Sequence, residues 1–184
     1  DTGEDRNRAV LAQTFTDVFL GTPLPLTDYV IDSRSYAVYG QMNYALNDRW
    51  SLIAGLRYTD DKKTITGSKA GPVNGSATAD VWTPRFGIEY SLNDDVFLYG
   101  TVSRGFKAGG FQGLAGSAET LSRPFDPEFL WAYEIGMKAD FADGRVRLNM
   151  SAYFNDVSDL QTPIFDPNFP GNAVTENAID MEYY

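Results

Sequence analysis

Arg104 and Lys107 are the residues of this 184-residue chain whose type and placement best suit binding chemistry. They lie in Ser103-Arg104-Gly105-Phe106-Lys107, just ahead of Gly109 and Gly110, in a sequence of net charge -10. Guanidinium and ammonium groups hold anions through charge-assisted hydrogen bonds, so the pair could grip an anionic ligand. The competing reading pairs Arg104 with a carboxylate of a neighbouring strand, Glu134 for example. As an acid–base couple, Glu89, Glu134 and Asp140 would need a common cleft and shifted titration, and the sequence indicates neither. Asp60-Asp61 and Asp94-Asp95 lack the spaced oxygen ligands and turn glycine of a dedicated calcium loop, and read as solvated turn charge. The chain has no histidine and no cysteine. That removes the commonest general base, any thiolate metal site and any disulfide. A Ser-His-Asp constellation is likewise impossible within it. The acidic balance offers no basic stripe to nucleic acid. The expectation is a binding or transport protein rather than an enzyme, with no catalytic residue, cofactor or bound metal.

The elements that carry these residues are legible as alternation. In Phe129–Phe141 every second residue is apolar: Phe129, Trp131, Tyr133, Ile135, Met137, Ala139 and Phe141. Leu130, Ala132, Glu134, Gly136, Lys138 and Asp140 interleave. After Asp143-Gly144 the pattern resumes, with Val146, Leu148, Met150, Ala152 and Phe154 on one side and Arg147, Asn149, Ser151, Tyr153 and Asn155 on the other. Side chains alternate across a strand, so this is a hairpin with one oily and one wet face, turning where glycine supplies a positive φ. Each strand is about a dozen residues, enough to cross a bilayer, which takes about 9–11.

The same reading gives strands over Arg34–Leu46, Trp50–Thr59, Trp82–Leu92 and Val96–Lys107, and an incomplete one from Thr175. Pro84, lacking an N–H, is expected near a strand's start or at an irregularity. In Val96–Lys107 the even positions are assigned to the oily face, although Phe97 and Tyr99 compete for it. Connections alternate between short (47–48, 93–95, 142–144) and long (60–80, 108–128, 157–174), as periplasmic turns and extracellular loops do in outer-membrane barrels. A strand extension is allowed at Lys63–Thr66. Tyr44, Trp50, Tyr90 and Phe141 then form one aromatic belt, and Tyr36, Tyr58, Trp82, Trp131 and Phe154 the other. No run of about 18 apolar residues offers a transmembrane helix. The fold expected is all-β: an antiparallel transmembrane barrel segment of about six strands plus a partial one. Residues 34–184 form that partial barrel. Residues 1–33 lack a sustained period of two and read as an extracellular loop or the tail of a preceding strand, with helical spacing at Leu11, Phe15, Val18 and Phe19. The chain opens at Asp1 without a signal peptide and reads as a piece of a longer polypeptide.

Several segments resemble one family. Tyr99–Gly110 (YGTVSRGFKAGG), Phe125-Asp126-Pro127-Glu128 and Trp131–Lys138 (WAYEIGMK) follow in the order and spacing of the barrel of TonB-dependent outer-membrane receptors. Tyr36–Gln41 and Gly55–Thr59 are similar to earlier strands of that barrel. The resemblance implies a 22-stranded barrel in the outer membrane of a Gram-negative bacterium, closed by an N-terminal plug. It implies energised uptake of a scarce ligand, commonly a ferric siderophore, an anionic ligand of the kind that Arg104 and Lys107 could hold at the extracellular mouth. Its partners would be outer-membrane lipid, the rest of the barrel and plug, and TonB through an N-terminal part that has no counterpart here. The alternatives are a piece of a passive porin, which shares every barrel feature, or of an outer-membrane adhesin.

Overall fold

The computed structural model describes residues 2–11, 27–113, 116–165, 173–178 and 181–183. Eight antiparallel strands form one open sheet: β1 (Thr2–Leu11), β2 (Thr27–Ala45), β3 (Trp50–Lys69), β4 (Pro72–Ser91), β5 (Val96–Lys107), β8 (Glu128–Phe141), β9 (Val146–Ser158) and β12 (Met181–Tyr183), adjacent in that order. Between β5 and β8 the chain makes β6 (Gly110–Phe111), the short helix α1 (Ala118–Ser122) and β7 (Pro124–Phe125), with β6 paired to β7. Between β9 and β12 it makes the hairpin β10 (Gln161–Phe165) and β11 (Ala173–Asn177). Among the described residues no helix is long and apolar enough to cross a membrane.

The short turns lie at one end, and each is held by its own sequence. Asn47 Oδ1 accepts from the N–H groups of Arg49 and Trp50, and Asn93 Oδ1 from that of Asp95. At 142–144 the backbone runs through three successive positive φ angles, ending at Gly144 with φ of 79°. The in-and-out assignment from sequence agrees with the register. Trp50 faces Tyr90 and Tyr58 faces Trp82 across neighbouring strands, with ring centroids 4.3 and 4.8 Å apart. Val38, Ile135 and Met150 are 67%, 67% and 58% exposed, an apolar surface that water alone would not favour. On β5 the even positions do face outward: Leu98 lies opposite Met137, and Val102 opposite Tyr133.

The long connections are where expectation and structure part. Residues 60–80 are not a loop. β3 and β4 stay paired from Asp60 opposite Asp80 up to Ser68 opposite Pro72, and reverse at Ala70, whose φ is 50°. Above the apolar band both faces of a strand meet water, so alternation disappears while the backbone ladder continues. For the same reason β2 begins at Thr27 rather than Arg34. Thr2–Leu11, within the stretch read as loop or tail, is a strand paired to Thr27–Tyr36. The helical spacing at Phe15–Phe19 lies outside the described residues. Pro84 falls mid-strand rather than near a start, but it does mark an irregularity. The β4–β5 ladder stops at Arg85 opposite Ser103, next to the residue that has no N–H to donate. The strand expected from Thr175 is divided between β11, which pairs upward with β10, and β12, which rejoins β9.

The extracellular half contains its own small core. Tyr29 (β2), Ile65 (β3), Val73 (β4), Phe111 (β6) and Leu121 (α1) pack together, with Ile65 and Val73 wholly buried. The three strand residues are odd-numbered, on the inward face. The segment after β5 therefore folds back across the inside of the tall β2–β3–β4 wall.

Candidate functional site

The inward face between β5 and β8 brings together the residues of two sequence segments. The register sets Tyr99 opposite Gly136. The Tyr99 ring lies so close over this glycine that a β-carbon there would overlap it. From that position its hydroxyl donates to Glu134 Oε1 at 2.6 Å. The Lys138 ammonium lies 5.8 Å from the Tyr99 ring centre and 6.0 Å from that of Phe97, within cation–π reach of both. Glu134, Gly136 and Lys138 sit at every second position of β8, so one strand face presents acceptor, space and cation in a row. Nearer the short turns, Arg147 grips Asp140 with two parallel hydrogen bonds of 2.7 and 3.0 Å. On β3 the Arg57 guanidinium lies over Tyr39 at 5.8 Å and donates to Thr59 Oγ1 at 3.2 Å. The wall is thus a set of internally satisfied polar pairs rather than a nucleophile with its base. Asp60 and Asp61 take opposite faces of β3, Asp94 and Asp95 lie in a turn, and among the described residues no three carboxylates converge on a metal-sized site.

At the extracellular end the connections lock together. Lys63 Nζ donates to the Gly109 carbonyl at 2.6 Å and lies 3.9 Å from Asp61. Gln112 exchanges two hydrogen bonds with the Thr175 backbone, giving from Nε2 at 2.6 Å and accepting at Oε1 at 2.5 Å. Asn177 accepts from Asp126 N–H and returns a bond to the Asp126 carbonyl. Gln161 donates to the carbonyls of Lys107, Ala108 and Asp126, while its own N–H reaches Glu128 Oε2. Beside these contacts lies a cleft of about 470 Å³, lined by Gln112, Thr120, Arg123, Phe125, Glu176 and Asn177 among others. It sets the exposed Arg123 beside an aromatic edge, with the Gln112 and Asn177 amides next to them engaged by backbone groups, a polar rim suited to an anionic chelate. Its residues come from two long connections, and no periodicity in the sequence singles them out.

Arg104 and Lys107 are not brought together. They lie an odd number of positions apart on an unbulged strand and take opposite faces. Lys107 is on the inward face, 63% exposed in its side chain and 3.9 Å from Glu128. Arg104 is on the outward face, opposite Trp131, with its guanidinium 4.4 Å from the Phe129 ring centre. The suggested pairing of Arg104 with Glu134 is not formed, because Glu134 faces inward and is engaged by Tyr99.

Comparison with known proteins gives one consistent result. The family model described as "TonB dependent receptor-like, beta-barrel" matches residues 2–183. The metal-pseudopaline receptor CntO of Pseudomonas aeruginosa is 27% identical over 150 residues, covering 79% of this chain and 20% of that protein. The pesticin receptor of Yersinia pestis is 27% identical over 134 residues, covering 70% and 20%. The chain thus spans about a fifth of the length of these curated relatives. Among solved structures, the ferric yersiniabactin uptake receptor FyuA from Yersinia pestis superposes with a TM-score of 0.68 at 22% identity, over 87% of this chain and 25% of that one. The ferric-catecholate import receptor Fiu from K12 E. coli gives 0.64 at 15% identity, over 95% and 29%. These two show the fold.

Proposed function

Because the chain belongs to the β-barrel family of TonB-dependent receptors, we propose that it forms part of the wall and extracellular mouth of an outer-membrane receptor importing a ferric siderophore or similar metal chelate. The observation that carries the reading is the inward-folded connection after β5. It narrows the mouth and presents Lys107 and Arg123 at the rim of the barrel, while the amides of Gln112 and Asn177 fasten it to neighbouring backbone. A passive channel has the same strands but gains nothing from a roof fastened by so many side-chain-to-backbone bonds. The metal-pseudopaline and ferric-pyoverdine receptors among its relatives point to the same ligand chemistry. A chelate of a hard metal is commonly anionic, and ammonium and guanidinium donors suit it.

In this reading residues 34–184 are barrel wall and its connections, and residues 1–33 precede that wall, with Thr2–Leu11 adding a strand to β2. Closure into 22 strands, an internal plug and coupling to TonB belong to the same proposal, as does transport rather than enzymatic turnover. The test is uptake of radioactive iron by cells whose only receptor is the complete barrel carrying this segment, offered as ferric siderophores of catecholate, hydroxamate and carboxylate type. Uptake of at least one, abolished when TonB is deleted, supports the receptor. Uptake that persists without TonB would support the passive channel instead.

A further inference from the structure

Arg104 is a cation on the wrong side of the wall for a ligand in the mouth. Its outward position puts it at the extracellular end of the apolar band, beside Trp131 and over the Phe129 ring. Its Nε is buried without a hydrogen-bond partner, and among the described residues its guanidinium forms no ion pair. The nearest outward carboxylate by register, Asp156, lies a strand further on, beyond Trp131. Two residues below Arg104, about 7 Å along the strand, begins a groove of about 610 Å³ on the same face. Its floor is Gly100, and Phe86, Ile88, Tyr133, Ile135 and Phe154 wall it with almost no polar surface.

A guanidinium over an aromatic ring with its Nε buried, and an apolar trough leading away from it toward the bilayer centre, is complementary to one kind of molecule. We propose that Arg104 and the Gly100 groove form a site for a phosphate-bearing lipid of the outer leaflet. The phosphate bonds the guanidinium and one acyl chain lies in the trough. Arginine suits this task because its planar fork matches phosphate oxygens and stacks on aromatic rings. Lysine at the same place would keep the charge and lose both features. The site rests on the barrel reading for its membrane setting, but not on the identity of the imported ligand.

The experiment is native mass spectrometry of the complete barrel in detergent, titrated separately with bisphosphorylated lipid A, lipid A stripped of phosphate, and inorganic phosphate. Wild type should retain bisphosphorylated lipid A at least about tenfold better than the stripped form. Arg104→Gln should lose about tenfold, Arg104→Lys should fall between, and the inward-facing Lys107→Gln should match wild type. Gly100→Leu, which fills the trough, should weaken retention of both lipids while leaving the phosphate preference. Equal retention of both lipids by wild type would overturn the proposal whether or not any variant folds. Equal loss in Arg104→Gln and Lys107→Gln would overturn it too, and so would displacement of the lipid by inorganic phosphate at matched concentration. Iron uptake is measured on the same variants. Loss of uptake with lipid retention intact would bear on the receptor reading and not on this site.

Discussion

At the scale of single residues, the close approach of Tyr99 to Gly136 makes the clearest demand on side-chain identity. Any β-carbon at 136 pushes against the ring, and displacing the ring breaks the bond to Glu134 and the contact with Lys138. Gly136→Val should cost about 1–3 kcal/mol through overpacking, and Tyr99→Phe about 0.5–1.5 kcal/mol through one lost hydrogen bond. In Tyr99→Ala/Gly136→Val the clashing ring is gone, so the pair should cost clearly less than the sum of its singles. Urea midpoints for the complete barrel in detergent would measure this, and strict additivity would mean the ring does not rest on the glycine. The four motif residues stand out in the sequence, but their meeting depends on a register that sets 99 opposite 136, which alternation alone leaves open by steps of two. The two faces are testable in the same way. Met150→Arg puts a charge against lipid and should cost about 2–4 kcal/mol in refolding into a bilayer. Asn149→Arg points into the wet interior and should be far milder. Equal damage from both would reverse the faces.

At the scale of elements, legibility follows the solvent. Between the two aromatic belts a strand has lipid on one side and water on the other, so β5, β8, β9 and the lower halves of β2, β3 and β4 can be read residue by residue. Above the upper belt that contrast ends. Lys62-Lys63-Thr64-Ile65-Thr66-Gly67-Ser68 carries one large apolar residue, and nothing in its composition separates a loop from a tall hairpin. Ile65 is the element's hidden anchor. It is wholly buried against Tyr29, Val73, Phe111 and Leu121, partners scattered over some ninety positions, and so invisible to any local pattern. Ile65→Ala should open a cavity at about 2 kcal/mol or more, and the loss should be local, because the cluster lies above the membrane-spanning wall. Hydrogen exchange in Ala118–Ser122 and Gly110–Phe111 should accelerate while β8 and β9 stay protected. Uniform acceleration through the wall would show instead that roof and wall unfold as one unit. The candidate cleft was illegible for the same reason: Gln112, Arg123 and Asn177 meet only because two separate connections dock on each other.

At the scale of the whole molecule, the sheet of residues 1–184 is open. Among the described residues β1 and β12 each have a strand neighbour on one side only, so neither outer edge has a strand to pair with. The outward face carries a continuous apolar surface from Val38 and Met42 on β2 through Phe86 and Ile88 on β4 to Ile135 and Met150. In water, such a patch and two free edges drive association and template further pairing. The net charge of -10 does little to oppose this. Among the described residues Asp48, Asp94, Asp95 and Asp143 lie in turns and Glu89, Glu134 and Asp140 on the inward face, leaving the apolar faces free to stack without bringing these charges together. In lipid the position is worse, since an open edge leaves backbone groups with no partner at several kcal/mol each. Residues 1–184 expressed alone should therefore be insoluble or form large assemblies, and should bind no ferric siderophore, since the mouth they help build needs the opposite wall. Analytical ultracentrifugation in detergent-free buffer, with thermal melting by circular dichroism, reads this directly. Heterogeneous high-mass species without a cooperative melt are expected. A monodisperse monomer that melts cooperatively would mean that the apolar face is covered by the chain itself, and would replace the membrane wall with a soluble meander.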